Sequence, residues 1–254
     1  MSMKAVILCG GLGTRFSEET KSKPKPMILL GKFPILFHIL KIYEQNGIND
    51  FILALGYKGN KIKEFFSKKN LEKHNKIYYS YIKKKQKKLN WKITFCNSGL
   101  KTMTGGRLLR LKNLLKDEKN FLLTYGDGLA NVDIKKLIKF HRGHGKIGTV
   151  TAVIPSARFG ALNIKGKIVR SFSEKPQSGE GWINGGFFCF KNTIFKYLKN
   201  DKTVLEEYPL SKLSKDKNLF AYKHNKYWQC MDTRRDHDLL NKQWKSKKIL
   251  WLKK

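Results

Sequence analysis

Residues 4–8 are a short apolar run containing Val and Ile, and the run breaks at once into Gly10-Gly11-Leu12-Gly13. An apolar stretch of that length ending in glycines reads as a buried strand entering a loop. Helical spacing over 35–45 stops at Asn46-Gly47, a C-terminal capping signal. Residues 51–55 predict a second strand and 61–66 a second helix. Strand, helix, strand, helix implies a parallel sheet closed by right-handed crossovers. Further on, 106–115 predicts a helix, 121–124 a third buried strand, 134–141 a helix and 149–154 a strand. Residues 160–190 read as strands and turns, and 204–213 and 234–244 as later helices. The polar, lysine-rich and aromatic stretch 68–97 is expected to be an excursion, with a hairpin pairing 78–81 and 92–95. The expected fold class is therefore α/β: a Rossmann-like, mixed and mainly parallel sheet flanked by helices, with a β-rich insertion.

The chain has 254 residues, 41% of them hydrophobic, enough for the packed core of one large α/β domain. No apolar run reaches the ~18 residues of a membrane span. The apolar start is far shorter than a signal peptide needs, so no membrane span and a cytoplasmic location are expected. Cys9, Cys96, Cys189 and Cys230 make no CxxC pair and no zinc spacing, so free, partly buried thiols are expected. A net charge of +34 invites a nucleic-acid reading. Only 8 of the 53 basic residues are Arg, however, and the lysines are dispersed. A groove that reads bases or grips phosphates bidentately favours Arg. Much of the lysine therefore reads as coating for solvated faces.

The loop Leu8-Cys9-Gly10-Gly11-Leu12-Gly13-Thr14-Arg15 is followed by Lys23-Pro24-Lys25-Pro26. Glycines let backbone N–H groups approach a phosphate closely, and Arg15 and Lys25 can neutralise a triphosphate. No Gly-Lys-Ser/Thr closes the loop, so it is not a Walker A motif, and it lacks the spacing of a dinucleotide loop. A plain glycine turn would fit the glycines alone. Gly126-Asp127-Gly128 closes the third strand. A carboxylate there is well placed for Mg²⁺, and Gly126 leaves room for phosphates, although an Asp-Gly turn is common. Asp232, in Met231-Asp232-Thr233, reads equally as a helix N-cap before Arg234.

Together these motifs resemble those of the sugar-1-phosphate nucleotidylyltransferases. The resemblance continues through Thr102-Met103-Thr104-Gly105-Gly106-Arg107, Tyr125-Gly126-Asp127-Gly128, Arg158-Phe159-Gly160-Ala161-Leu162 and Glu174-Lys175-Pro176. It ends with Trp182-Ile183-Asn184-Gly185-Gly186 and Trp228-Gln229-Cys230-Met231-Asp232-Thr233-Arg234. The Met-Thr-Gly-Gly-Arg and Phe-Gly-Ala-Leu versions resemble the glucose-1-phosphate cytidylyltransferase branch. Two departures stand out: Cys9 where relatives carry a small alanine, and Cys96-Asn97-Ser98-Gly99 where they carry Asp-Thr-Gly.

With no repeats and no linker in the sequence, one domain over 1–254 is expected, with a nucleotide-binding part over about 1–150, a sugar-phosphate-binding part over about 151–232 and a C-terminal helix over 233–254. The resemblance implies that Asp127 and Asp232 hold Mg²⁺ as a pair. Leu8 to Arg15, Lys25 and Gly126 would take the nucleotide, with Thr102 and Arg107 facing base and phosphates. On the residues alone, Thr104 could equally cap a helix whose exposed face carries Arg107. Lys175 would bind the sugar phosphate, Glu174 and Asn184 the sugar hydroxyls, and Gly160 would let the sugar lie on the backbone. Arg15, Lys25 and Lys175 are the expected catalytic cations. The expected partners are CTP and glucose 1-phosphate as substrates, no specific nucleic acid, and further copies of the chain in a homo-oligomer. The rival enzyme reading is the same chemistry with UTP, dTTP or GTP and another sugar 1-phosphate. The rival from another class is a basic nucleic-acid-binding protein, which salt-dependent RNA binding without turnover would favour.

Overall fold

Strand β1 (Lys4–Cys9) pairs in parallel with β4 (Asp50–Leu55) on one side and β6 (Asn120–Tyr125) on the other. The computed structural model that shows this describes residues 3–82, 88–155, 161–165, 167–173 and 181–252. Strand β5 (Lys92–Asn97) continues the sheet parallel to β4. Beyond β6 lies β11 (Ile183–Lys191), antiparallel both to β6 and to β8 (Gly148–Val153). The last strand, β12 (Leu219–His224), runs parallel to β8. The order is β12-β8-β11-β6-β1-β4-β5, a mixed and mainly parallel sheet as the element pattern predicts. Three two-stranded pairs stand apart: β2 (Leu29–Leu30) with β3 (Phe33–Pro34), β7 (Gly128–Ala130) with β13 (Trp228–Cys230), and β9 (Ala161–Lys165) with β10 (Ile168–Ser173).

Alternation along β1 explains the layers. Ala5, Ile7 and Cys9 face one apolar cluster and Val6 and Leu8 the other, because successive strand side chains point to opposite faces. The first cluster packs α2 (Ile35–Glu44), α4 (Lys68–Tyr81) and α9 (Arg234–Lys245) on the sheet. The second packs α5 (Thr104–Arg110), α6 (Lys112–Leu115) and α8 (Tyr208–Lys215). Short α1 (Ser17–Thr20) follows the glycine loop, and α3 (Gly59–Phe65) and α7 (Ile134–His144) complete the helices. Among the described residues no helix is long and apolar enough to cross a membrane. All four cysteines are free, with Cys9 and Cys189 buried.

The expected hairpin of 78–81 with 92–95 does not form. Residues Lys68–Tyr81 are one helix, and Lys92–Asn97 pairs in parallel with β4 instead. The buried positions of that helix are Leu71, Asn75, Tyr78 and Tyr79, a helical stripe. Its polar member, Asn75, bonds the buried Lys41 at 2.7 Å, so the stripe does not look apolar in sequence.

Candidate active site

A cavity of about 1020 Å³ opens where β1 and β6 end. The carboxyl end of a parallel sheet is where such folds form their crevice. Its floor is the strand-to-loop junction Leu8, Cys9, Gly10 and Gly11, with Gly13 and Thr14 beyond. Leu12 stands half exposed beside it. Arg15 lies in the short turn Thr14–Phe16; its side chain lies outside the description.

Lys25, Asp127 and Asp232 meet on one wall. The Lys25 ammonium donates to Asp127 Oδ2 at 2.7 Å and to Asp232 Oδ1 at 2.5 Å. The two aspartates, far apart in sequence, are brought together by the small β7–β13 ladder. There Cys230 faces Gly128, and the Met231 N–H donates to the Asp127 carbonyl at 2.9 Å. A capping box at the start of α9 steadies Asp232. The Asp236 carboxylate accepts from the N–H groups of Asp232 at 3.1 Å and Thr233 at 2.9 Å. The N-cap is therefore Thr233, and Asp232 is left to face the cavity.

Burial pulls the Lys25 pKa down, but Asp127 and Asp232 more than reverse this, so it is raised overall. The same acids act on the neighbouring thiol. Cys230 is pushed up to about 12, by burial first and then by Asp232 and Asp127. Cys9 is also pushed up, by burial and by Asp127. Both stay thiols at neutral pH, so neither is an activated nucleophile.

An ammonium held by two carboxylates is a stand-in for a metal cation, and the oxygen donors suit Mg²⁺. Among the described residues no group of three or more metal-ligating side chains converges. A cation here would complete its shell from phosphate and water, as Mg²⁺ commonly does. Gly11 and Gly128 face open space, which leaves room for such groups.

Thr102, Gly126 and Asn184 also line the cavity. Arg107 reaches it from below, with both terminal nitrogens of its guanidinium engaged. It donates to the carbonyls of Gly10 at 2.8 Å, Gly99 at 2.6 Å, Leu100 at 3.3 Å and Leu55 at 3.4 Å, and to Ser98 Oγ at 2.8 Å. It thereby ties the ends of β1, β4 and β5 together. A Cβ on Gly10 would lie 2.0 Å from this guanidinium, which is why the loop needs glycine there. Gly160, Glu174 and Lys175, with Arg158, lie outside the described residues.

Several cavity residues were not anticipated. Arg235 and Leu239 enter from α9 and Met103 from the start of α5. Tyr125, at the end of β6, donates its hydroxyl to Glu206. A helical register for 234–244 could have pointed to Arg235 and Leu239; nothing local marks Glu206.

The nucleotidyl transferase family profile matches residues 4–242. The chain is 46% identical over 253 residues to a glucose-1-phosphate cytidylyltransferase of Salmonella typhimurium, covering 98% of each. It is 45% identical over 254 residues to a probable glucose-1-phosphate cytidylyltransferase of Bacillus subtilis, covering 98% of this chain and 99% of that one. In fold it is similar to a UDP-glucose pyrophosphorylase complexed with UDP-glucose. That likeness has a TM-score of 0.72 over 97% of this chain and 100% of the other, at 17% identity.

Proposed function

The chain belongs to the nucleotidyl transferase family, and we propose that it transfers the cytidylyl group of CTP to glucose 1-phosphate, giving CDP-glucose and pyrophosphate. The observation that carries this reading is the clamp of Lys25 between Asp127 and Asp232 beside the glycine loop, in one cavity large enough for two phosphate-bearing substrates.

An oxygen of the sugar phosphate attacks the α-phosphorus of CTP in line. The bond from that phosphorus to the bridging oxygen breaks, and pyrophosphate leaves with the electron pair. A phosphate monoester is already ionised at neutral pH, so no general base is needed. The neutral thiols of Cys9 and Cys230 offer no covalent route. The chain's task is to hold two polyanions together and stabilise developing charge. The glycine loop would take the nucleotide through backbone N–H groups. Lys25, with an incoming phosphate oxygen replacing one carboxylate, would follow the charge toward the leaving group. Asp127 and Asp232 would hold Mg²⁺, which when bound orients the phosphates and neutralises their charge. Arg15 would add charge at the loop, and Lys175 with Glu174, Asn184 and Gly160 would take the sugar phosphate.

A matrix of nucleoside triphosphates against sugar 1-phosphates, read by pyrophosphate release, tests the assignment. CTP with glucose 1-phosphate is expected to turn over fastest. Much faster turnover of GTP with mannose 1-phosphate would overturn it.

A further inference from the structure

The glycine loop is held from behind by its carbonyls. At its start the Gly10 carbonyl accepts from Arg107 Nη2 at 2.8 Å and from the Tyr57 N–H at 3.3 Å. At its end the Gly13 carbonyl accepts from the Phe16 N–H at 3.0 Å. A trans peptide points its C=O and the following N–H in opposite directions. With the Gly10 carbonyl turned into the protein, the Gly11 N–H is turned toward the cavity that Gly11 lines. The N–H groups of Gly11, Leu12 and Gly13 meet no acceptor among the described residues. Gly13, at φ 67°, adopts the left-handed conformation that lets neighbouring N–H groups converge on an anion.

The group that orients the first of these peptides is a buried cation. Arg107 is 4% exposed. Its Nη1 donates to Ser98 Oγ at 2.8 Å and to the Gly99 carbonyl at 2.6 Å, which fixes the planar guanidinium and leaves Nη2 aimed at Gly10. Among the described residues no carboxylate pairs with it, whereas Arg110, three residues along the same helix, is paired with Asp201. Carbonyls and a hydroxyl satisfy its hydrogen bonds but do not neutralise its charge, and a buried charge without a counter-ion is costly. An anion in the cavity, on the other side of the Gly10–Gly11 peptide, can supply that counter-charge.

We propose that Arg107 is a positioning residue for the triphosphate: it does not touch the nucleotide, but turns the Gly11 N–H toward it by holding the Gly10 carbonyl from beneath. The proposal rests on the reading of the loop as the nucleotide's phosphate site, and it replaces the expectation that Arg107 faces base and phosphates directly. A lysine at 107 keeps the charge but lacks the planar fork, so it cannot hold Ser98, Gly99 and Gly10 at once. Without that hold the Gly10–Gly11 peptide is free to turn over. Asn184, on β11, takes no part in these bonds.

The test combines kinetics with a measurement that needs no substrate. For Arg107→Lys, the KM for CTP is expected to rise roughly tenfold, the scale of one lost hydrogen bond. Its KM for glucose 1-phosphate should stay near that of the intact protein. The backbone amide resonance of Gly11, followed by NMR in the ligand-free protein, should shift or broaden in Arg107→Lys. Inorganic pyrophosphate should move that resonance in the intact protein and move it less in the variant. A structure of the intact protein with CTP should show the guanidinium still on the Gly10 carbonyl and the Gly11 N–H on a phosphate oxygen. A guanidinium that leaves Gly10 to contact the nucleotide would overturn the proposal. So would a Gly11 resonance unchanged by Arg107→Lys, or equal rises in both KM values accompanied by a fall in Tm. If Arg107→Lys does not fold, the CTP complex and the pyrophosphate titration of the intact protein decide, and a Gly11 amide that pyrophosphate leaves in place overturns the proposal. If the intact protein does not turn over CTP with glucose 1-phosphate, the functional reading fails, and the Gly11 resonance of the ligand-free protein still decides whether Arg107 orients the peptide.

Discussion

Lys25 and Lys41 are both drawn out of solvent, on two regions of the same sheet, and their surroundings give them opposite duties. The Lys41 side chain is 2% exposed and that of Lys25 12%. Lys41, on α2, bonds Glu44 at 2.9 Å and Asn75 at 2.7 Å. The rings of Phe37, Tyr78, Tyr79 and Trp91 surround its ammonium at 4.7 to 5.5 Å. Rings and an amide inside a packed layer hold a charge as part of the packing. Lys25 instead sits between two carboxylates on a cavity wall, where phosphate oxygens can replace carboxylate oxygens like for like. A buried charge serves chemistry only when its partners are exchangeable and a ligand can reach them.

The largest expected effect follows from that difference. Lys25→Met should slow turnover about 10²-fold or more, the scale of losing one charge-stabilising donor. Asp127→Asn and Asp232→Asn should do the same and raise the Mg²⁺ needed for half-maximal rate. Thermal melting of the two aspartate variants should stay close to that of the intact protein, because these carboxylates are partly exposed. Near-normal activity at low Mg²⁺ in either aspartate variant removes that residue from the site.

Lys41→Met should show the reverse pattern. Breaking a buried pair costs about 3 kcal/mol or more, which lowers Tm by roughly 6–12 °C in a chain of this size. Turnover per folded molecule should be unchanged. A loss of activity with an intact Tm would break the comparison, since Lys41 would then act on the site.

A third buried base sharpens it further. His141 is fully buried between Thr149 Oγ1 at 2.8 Å and Asn120 Oδ1 at 3.1 Å. Burial first, then His144, Lys191 and Arg142, depresses its pKa to about 4. The folded value lies below the unfolded 6.5, so protonation favours unfolding. This contribution to stability is complete above pH 6.5 and is lost as pH falls toward 4, about 3 kcal/mol in all. Denaturant melts at pH 7 and pH 4.5 measure it, and His141→Gln should flatten the slope between them. The smallest effect is expected at Lys116, an exposed residue after α6: Lys116→Ala should leave both activity and Tm unchanged. A tenfold loss there would mean that bulk charge, not the Lys25 clamp, drives turnover.

The amino-acid sequence by itself determined the class of fold and the parts of the site that are continuous in the chain. The apolar run 4–8 with its glycines announced β1 and the loop, and the periodicity of 35–45 and 134–141 announced helices found at Ile35–Glu44 and Ile134–His144. Local spacing carries that information because a strand or helix repeats its buried face at a fixed interval. The helix Lys68–Tyr81 is not legible in the sequence because its buried stripe includes Asn75, whose partner Lys41 lies on another helix. Only the tertiary structure decided that Asp127 and Asp232 share one ammonium, that Arg107 spends its donors on three strand ends, and that Glu206 reaches Tyr125. Each of these joins segments through a side chain whose partner is set by strand pairing or docking, and no local periodicity records which distant residue a side chain will meet.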